Sequence, residues 1–158
     1  MILAHYGAGM DVAAVVHGAN GFVGTLGPRV MSSNRDETVL RLDAGPELHN
    51  HVGGPHAAAI FGLGETAGLA VLLEAFGDLI EAGRAIPLVK SGTISFSTIA
   101  RGPLLAVARL VDAEASARAS FEERGVATFD VEIAFRRESD DVPTGQMTAR
   151  MALRSVPA

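Results

Sequence analysis

A segment of almost uninterrupted apolar and small residues, positions 57–73, constrains the fold of this chain most strongly. Its single charged residue is Glu65, and it contains the glycines Gly62, Gly64 and Gly68, which are expected to let neighbouring backbones approach closely. The segment has about the minimum length of a membrane span, but a central carboxylate is costly in lipid. We therefore predict a helix buried in protein. Because it is apolar on nearly all sides, a curved sheet must wrap it or a second subunit must share it.

Residues at both ends of this segment indicate where the helix begins and ends. Pro55 suits the first turn of a helix, and Gly83 is placed to end it near residue 82. The preceding residues 43–55 contain several glycines and prolines and are predicted to form a loop. Residues 9–24 could form a short helix, although three glycines disfavour it.

Alternating apolar and polar residues predict β-strands on both sides of the long helix. The predicted strands cover residues 38–42, 91–100, 128–135 and 147–154, and residues 104–117 fit either a strand or a helix. Residues 122–125 and 138–145 are interpreted as hairpin connections. This order favours one α+β domain over residues 1–158, with an antiparallel sheet packed on the helix and an N-terminal extension at residues 1–27.

Composition narrows the classes of function. The chain of 158 residues has a formal net charge of −5 and no cluster of lysines and arginines, so nucleic acid is disfavoured as a partner. It contains no cysteine, which excludes disulfides, thiolate nucleophiles and cysteine-ligated metals. The N-terminus lacks the basic start and continuous apolar core of a signal peptide, so we expect a cytoplasmic protein that is not bound to a membrane. The 48% apolar fraction indicates either a face covered by a partner or a large core.

Two interpretations of Glu65 and the nearby histidines involve no catalysis. His49, His51, His56 and Glu65 could bind zinc or iron, but their spacing matches no motif of known metal sites. Alternatively, Glu65 is a buried carboxylate paired with Lys90 or an arginine, and the histidines are ordinary loop residues.

A third interpretation is a catalytic site at the start of the helix. The backbone N–H groups near His56 and Ala57 are free of helical partners and carry a partial positive charge, which suits a developing oxyanion. Glu65 follows His56 by nine residues, about 900° of helical rotation, so the two side chains point in opposite directions. They could meet only if two such helices ran antiparallel across a twofold axis. A catalytic site therefore requires a dimer.

The spacing N-x-x-G-x-x-H-x-x-x-x-x-x-L-x-E, from Asn50 to Glu65, resembles the central motif of hotdog-fold acyl-CoA thioesterases. The resemblance is to the phenylacetate-degradation type within the 4-hydroxybenzoyl-CoA thioesterase superfamily. It is greater still to a branch that has His-Ala-Ala and Glu where others have His-Gly-Gly and Asp. It covers about residues 35–156 and implies a hotdog fold, in which a curved antiparallel sheet wraps one long central helix.

The resemblance also implies roles for individual residues. Glu65 matches the catalytic carboxylate, which acts as general base or nucleophile, and Asn50 matches the asparagine that places the attacking water. His56 matches the histidine beside the thioester carbonyl, and Ala57 matches the residue whose backbone N–H polarises it. Gly53 matches the motif glycine and is expected to border the substrate.

Other positions are expected to contact the substrate beyond the reacting atoms. Relatives often supply a hydroxyl from the strand after the helix, at a position that falls near Val89 here, so Ser91 or Thr93 is expected to replace it. Lys90 and Arg101 are candidates for contacts with the phosphates of coenzyme A.

The function implied by the resemblance is hydrolysis of an acyl-CoA thioester to a free acid and coenzyme A. No metal or other cofactor is implied, and the active sites would lie between the subunits of a homodimer or homotetramer. Burial would raise the pKa of Glu65 and make it a better base. Because hotdog folds host several functions, the alternatives are an enoyl-CoA hydratase or dehydratase and a non-catalytic acyl-CoA-binding protein.

Overall fold

The structure is a computed structural model that describes residues 10–19, 21–112 and 114–156. The helices are α1 (Val12–His17), α2 (Gly21–Leu26), α3 (Ala57–Glu81) and α4 (Glu114–Arg124), and a 3₁₀ turn covers Pro46–Leu48. The strands are β1 (Arg29–Ser33), β2 (Thr38–Leu42), β3 (Ala85–Phe96), β4 (Leu104–Leu110), β5 (Val126–Arg137) and β6 (Pro143–Ser155).

The strands form one antiparallel sheet in the order β1-β2-β4-β5-β6-β3, which confirms the predicted α+β class. Strand β2 has the predicted bounds, whereas β3 begins six residues earlier than predicted, at Ala85. Strand β1 was not predicted, because its side chains are exposed or half-buried and it therefore lacks an apolar alternation. The order places β3 at one edge of the sheet, where it pairs with β6.

Helix α3 lies across the inner face of the sheet and supplies the centre of the core. Leu63, Val71, Leu72 and Phe76 are completely buried on it. Among the described helices, α3 alone has the length and mean hydropathy of a membrane span, but 78% of its most apolar window is buried inside the fold. This burial confirms a helix covered by protein.

The glycines of α3 make room for side chains rather than for neighbouring backbones, which corrects the prediction. A Cβ on Gly64 would lie 2.7 Å from Sδ of Met147, and a Cβ on Gly68 would lie 3.2 Å from Sδ of Met151. Both methionines belong to β6, so the helix packs on the sheet through these contacts.

Capping residues determine both ends of α3. His56 is the N-cap, so Pro55 lies just before the helix rather than in its first turn. At the other end, Gly83 has a positive φ of 67° and donates its N–H to Ile80, while the N–H of Arg84 bonds to the carbonyl of Leu79. This Schellman arrangement confirms that Gly83 ends the helix.

The region between β4 and β5 differs from the prediction. Residues 104–117 divide into strand β4 and the start of α4, and residues 122–124 are the end of that helix rather than part of a hairpin. Helix α4 buries Ala117 and Phe121 against the core, and Gly125, with a φ of 68°, follows its last turn. The hairpin connection predicted at residues 138–145 is confirmed but is shorter, since residues 138–142 join β5 and β6 and residues 143–145 begin β6.

Two short helices replace the single one predicted at residues 9–24, of which residues 9 and 20 lie outside the described residues. Val12 and Val16 of α1 are buried against Ala70 and Leu73 of α3. Helix α2 follows and also packs on α3 through Leu26. The described part of the predicted extension at residues 1–27 therefore covers the side of α3 that the sheet leaves open.

Candidate active site

The loop before α3 is held together by the side chain of Asn50. Its Oδ1 accepts the backbone N–H groups of Val52 (3.0 Å) and Gly54 (3.2 Å), and its Nδ2 donates to the carbonyl of Pro55 (3.2 Å). In the chain as described, the side-chain amide of Asn50 therefore forms its hydrogen bonds within the loop. Asn50 fixes the position from which α3 begins.

Gly53 and Gly54 are favoured in this loop for different structural reasons. Gly53 has a φ of 78°, which favours glycine, and nothing lies within 4 Å of the position of its missing Cβ. A Cβ on Gly54 would lie 2.0 Å from the carbonyl oxygen of Ala100. Because that neighbour is backbone, the loop can press against Ala100 only if residue 54 is glycine.

His56 caps the start of α3 through its ring. Nδ1 accepts the N–H of Ala58 at 3.0 Å, and the His56 carbonyl accepts the N–H groups of Ala59 and Ile60. A neutral ring whose Nδ1 is an acceptor carries its proton on Nε2, so Nε2 is a hydrogen-bond donor. The N–H of Ala57 makes no hydrogen bond within the described part of the chain. Two donors therefore remain at the helix start.

A cleft of about 310 Å³ lies beside these donors. Its walls are the loop before α3 and the segment that follows β3, and its lining residues are Asn50, Val52, Pro55, Ala57, Ile60, Phe96, Ser97, Thr98, Ile99 and Ala100. The lining is mainly apolar.

Glu65 lies in a different depression, a groove of about 350 Å³ between α2 and β3. Helix α3 forms the floor with Glu65, Thr66 and Leu69, and Met151 of β6 also contributes. The walls are Phe22 and Val23 on one side and Pro87, Leu88 and Val89 on the other. Glu65 is the one charged residue of this lining.

The interpretation of Glu65 as a buried carboxylate paired with Lys90 or an arginine is wrong. Its side chain is exposed in the groove, and it forms no ion pair with Lys90 or with any other described residue. Glu65 is on the surface because its position on α3 faces the groove, whereas its neighbour Gly64 faces the sheet. The burial expected for a catalytic carboxylate is not provided by one chain.

The helix start and Glu65 are separate in one chain. Nine residues of α-helix correspond to a rise of about 13.5 Å. Ala57 lines the cleft and Glu65 lines the groove, with no lining residue in common. The two sets of predicted site residues are therefore apart in one chain, as the helical rotation predicts.

The residues expected to contact the rest of the substrate are dispersed. Val89 lines the groove beside Glu65 but has no hydroxyl. Ser91 and Thr93 pair with Arg150 and Thr148, whose side chains are exposed on the outer face of the sheet, so they point away from α3 of their own chain.

Lys90 and Arg101 are both exposed. Lys90 is the extra residue of a β-bulge in β3, since Val89 pairs with Met151 and Ser91 with Arg150. Arg101 follows Ala100, a lining residue of the cleft, so it is near the helix start.

The histidines of the loop do not converge. Nε2 of His49 bonds to the carbonyl of Ala44, and Nδ1 of His56 is used by the helix cap. Within the described ranges, no three histidine, aspartate or glutamate side chains form a group able to hold a metal ion.

Comparison with protein families identifies the chain. The family of the domain of unknown function DUF4442 matches residues 11–153. The chain belongs to the DUF4442 family. It has no match among curated proteins.

Solved structures similar to this DUF4442 chain establish the fold. A protein of unknown function from Pseudomonas aeruginosa, described as a probable thioesterase, is 28% identical with a TM-score of 0.77, over 92% of this chain and 94% of that one. A thioesterase family protein from Silicibacter pomeroyi is 16% identical with a TM-score of 0.70, over 92% and 97%. A variant of a thioesterase from Staphylococcus aureus is 19% identical with a TM-score of 0.65, over 84% and 97%. The predicted hotdog fold is confirmed.

Several residues that line the cleft and the groove of this DUF4442 chain were not found from the sequence. Thr66 lines the groove next to Glu65, and its Oγ1 donates to the carbonyl of Gly62 at 2.7 Å. Phe22 and Val23 reach the groove from α2, and residues 98–100 reach the cleft. Their positions depend on tertiary packing, so neither periodicity nor motif spacing could indicate them.

Proposed function

We propose that this protein hydrolyses an acyl-CoA thioester in a composite site, with Glu65 from one subunit and the helix start of α3 from another. The observation that carries the proposal is the division of one helix into two half-sites. The carboxylate lies in an apolar groove and the free donors of Ala57 and His56 lie at the helix N-terminus. Neither half contains a complete set of groups for thioester hydrolysis.

The proposed chemistry assigns one step to each half-site. Glu65 accepts a proton from a water molecule while the water oxygen attacks the thioester carbonyl carbon. The oxyanion that forms accepts hydrogen bonds from the Ala57 N–H and from Nε2 of His56, near the positive end of the helix dipole. The tetrahedral intermediate then collapses, the C–S bond breaks, and the proton held by Glu65 passes to the thiolate of coenzyme A. A direct attack by Glu65 would form an anhydride that water hydrolyses.

Strand β3 is the surface on which we expect a second copy of the chain. It is twelve residues long, and one of its edges has no strand partner within the described residues. Leu88 and Phe96 are 45% and 51% exposed, and Ile86 is exposed beside them. A long apolar edge strand favours aggregation unless it is covered. An antiparallel twofold pairing of β3 with β3 would cover the edge on both subunits and bring the groove of one subunit, at the start of β3, toward the cleft of the other, at the end of β3.

The relatives support this proposal at the level of the reaction. The Pseudomonas aeruginosa structure at 28% identity is described as a probable thioesterase. We propose a CoA thioester as substrate because the cleft at the helix start is apolar, while exposed Lys90 and Arg101 can approach phosphates. We also propose that the reaction requires no metal ion and takes place in the cytoplasm.

The first test measures thiol release from a panel of acyl-CoA thioesters by the purified protein. Hydrolysis predicts one thiol for each acyl-CoA consumed, and its absence across the panel would reject the proposal. Hydration of an enoyl-CoA without thiol release would identify a hydratase, and acyl-CoA binding without turnover would identify a binding protein.

The second test determines whether the site is shared. Glu65→Gln and His56→Asp chains are co-expressed with different affinity tags, and the mixed dimer is isolated through both tags. Aspartate retains the helix cap but removes the Nε2 donor. In the mixed dimer one site combines intact Glu65 with intact His56, so about half of the parental activity is expected, whereas each homodimer is inactive. An inactive mixed dimer would contradict the composite site.

A further inference from the structure

The groove beside Glu65 has a wall that belongs to the N-terminal helix α2. Phe22 and Val23 form this wall, opposite Leu88 and Val89 of β3. Phe22 is 58% exposed, although it is the largest side chain of α2. Phe22 is therefore not a core residue of the chain, and its ring borders the open space in front of Glu65.

Gly62 allows the ring of Phe22 to lie on α3. A Cβ at position 62 would be 2.5 Å from Cε1 of Phe22 and 3.1 Å from its Cζ. Gly62 is one helical turn before Thr66, which lines the groove. Thus a missing side chain on α3 and a large one on α2 together determine the width of the groove at this point.

The chemistry of the groove is restrictive. Apart from Glu65, its one polar side chain is that of Thr66, whose hydroxyl proton is donated to the carbonyl of Gly62. The remaining lining side chains are Phe22, Val23, Leu69, Pro87, Leu88, Val89 and Met151. An oxygen atom of a polar substituent placed here would lose the hydrogen bonds that it accepts from water without gaining a side-chain donor in return.

We propose that this groove binds the acyl group, that it selects unsubstituted aliphatic or phenyl acyl groups, and that Phe22 limits the length of chain it accepts. This inference rests on the proposed thioesterase function, because it takes Glu65 as the reacting group at one end of the groove. Its volume of about 350 Å³ is near the lower limit of small-molecule pockets, which fits a short acyl group. Phe22 is a specificity-determining residue.

The test compares chain-length profiles of two variants that act on the same ring from opposite sides. Phe22→Ala removes the ring, and Gly62→Ala adds a methyl group that displaces it. The kcat/KM ratio of decanoyl-CoA to hexanoyl-CoA is expected to rise roughly tenfold or more in Phe22→Ala. Gly62→Ala should change the ratio as well, and the double variant should not add the two effects, because both act through Phe22.

Val15→Ala is the matched control. Val15 is an exposed apolar residue of the neighbouring helix α1 and does not line the groove. Its profile should equal that of the parent. An unchanged ratio in Phe22→Ala, or an equal change in Val15→Ala, would overturn the assignment of Phe22.

Two further measurements separate this inference from the proposed function. Phenylacetyl-CoA should be preferred over 4-hydroxyphenylacetyl-CoA by roughly tenfold or more, and an equal rate would overturn the apolar selectivity. If the parent releases no thiol, hydrolysis is rejected, and the inference is tested by calorimetry with the non-hydrolysable thioether analogues of hexanoyl- and decanoyl-CoA. A ratio of their Kd values that Phe22→Ala leaves unchanged would overturn it, and a ratio that shifts toward the longer chain would support it.

Discussion

The two halves of α3 differ in what surrounds them. In the N-terminal half, residues 57–68, the helix start is exposed, Glu65 is exposed and glycines thin the helix. In the C-terminal half, residues 69–81, Val71, Leu72 and Phe76 are completely buried. Both halves bury most of their residues, but the cleft and the groove lie beside the first half. The candidate chemistry thus belongs to exposed positions of the first half, so substitutions at these positions and at buried positions of the second half should have separable effects.

The C-terminal half is held by Arg118 of α4. Its guanidinium lies 5.2 Å from the ring centroid of Phe76, which in turn stacks on Phe129 at 5.4 Å. Arg118 also donates to both carboxylate oxygens of Asp78, at 2.8 and 2.9 Å, and to the carbonyl of Ala75, beside the kink at Phe76. These hydrogen bonds raise the pKa of Arg118 and lower that of Asp78.

The largest effect is expected from Glu65→Gln, in the open half. If Glu65 is the general base, kcat should fall by about 10²- to 10⁴-fold. The unfolding free energy should remain within about 0.5 kcal/mol, because the side chain is exposed and unpaired among the described residues. Glu74→Gln, on the same helix, is the control and should retain activity. Turnover by Glu65→Gln at the parental rate would remove this residue from the mechanism.

Phe76→Ala, in the packed half, should show the opposite pattern. Loss of a fully buried aromatic ring and of its stacking on Phe129 is expected to lower the unfolding free energy by about 3–5 kcal/mol, measured by urea denaturation. Below the unfolding midpoint, kcat per folded protein should be preserved. Val111→Ala, at an exposed site, should change stability by less than about 0.5 kcal/mol. A loss of kcat in folded Phe76→Ala would show that the halves are not separable.

Arg118→Met is a milder change in the same half. Methionine retains apolar contact with Phe76 but leaves the Ala75 carbonyl and Asp78 without their donor. We expect a loss of about 1–2 kcal/mol in unfolding free energy, with unchanged kcat. A variant as stable as the parent would show that the ring contact, rather than the hydrogen bonds, holds α4 to α3.

The smallest effect is a pH dependence from Asp78. Its pKa is lowered in the folded state, chiefly by the hydrogen bonds from Arg118, from an ordinary value of 3.8. The unfolded chain therefore takes up a proton first as pH falls, and the stability that the ion pair supplies is present above pH 3.8 and is lost below it. Since the carboxylate is largely exposed, Asp78→Asn should cost about 0.5–1 kcal/mol at pH 7. The difference from the parent should diminish below pH 4 in urea denaturation series; a constant difference would contradict the pairing.

The sequence predicted those parts of the fold that local patterns determine. Uniform apolarity indicated α3, Gly83 indicated its end, and period-two alternation indicated β5 and β6. The helix α4 was missed because its few buried residues, Ala117 and Phe121, follow a strand without a clear turn signal.

The half-sites were predictable only in part. Motif spacing selected Asn50, His56, Ala57 and Glu65 as candidates, and helical rotation predicted that the last of these lies apart from the helix start. Burial of Glu65 could not be predicted, because it depends on what covers the groove. The contribution of α2 to the groove wall was also not predicted, because the contact between Phe22 and Gly62 joins residues forty positions apart.

The cap of α3 restricts how this protein can be re-engineered. Residue 56 must supply an acceptor that caps the N-terminus of α3 and, in the proposed mechanism, a donor that faces the substrate. The imidazole ring of His56 does both, because its two nitrogens take one role each. A change that improves one role therefore alters the other, which leaves little freedom at this position for tuning substrate preference. The residues of α2 that form the groove wall do not have two such roles. Substitutions that change substrate preference are therefore expected there first.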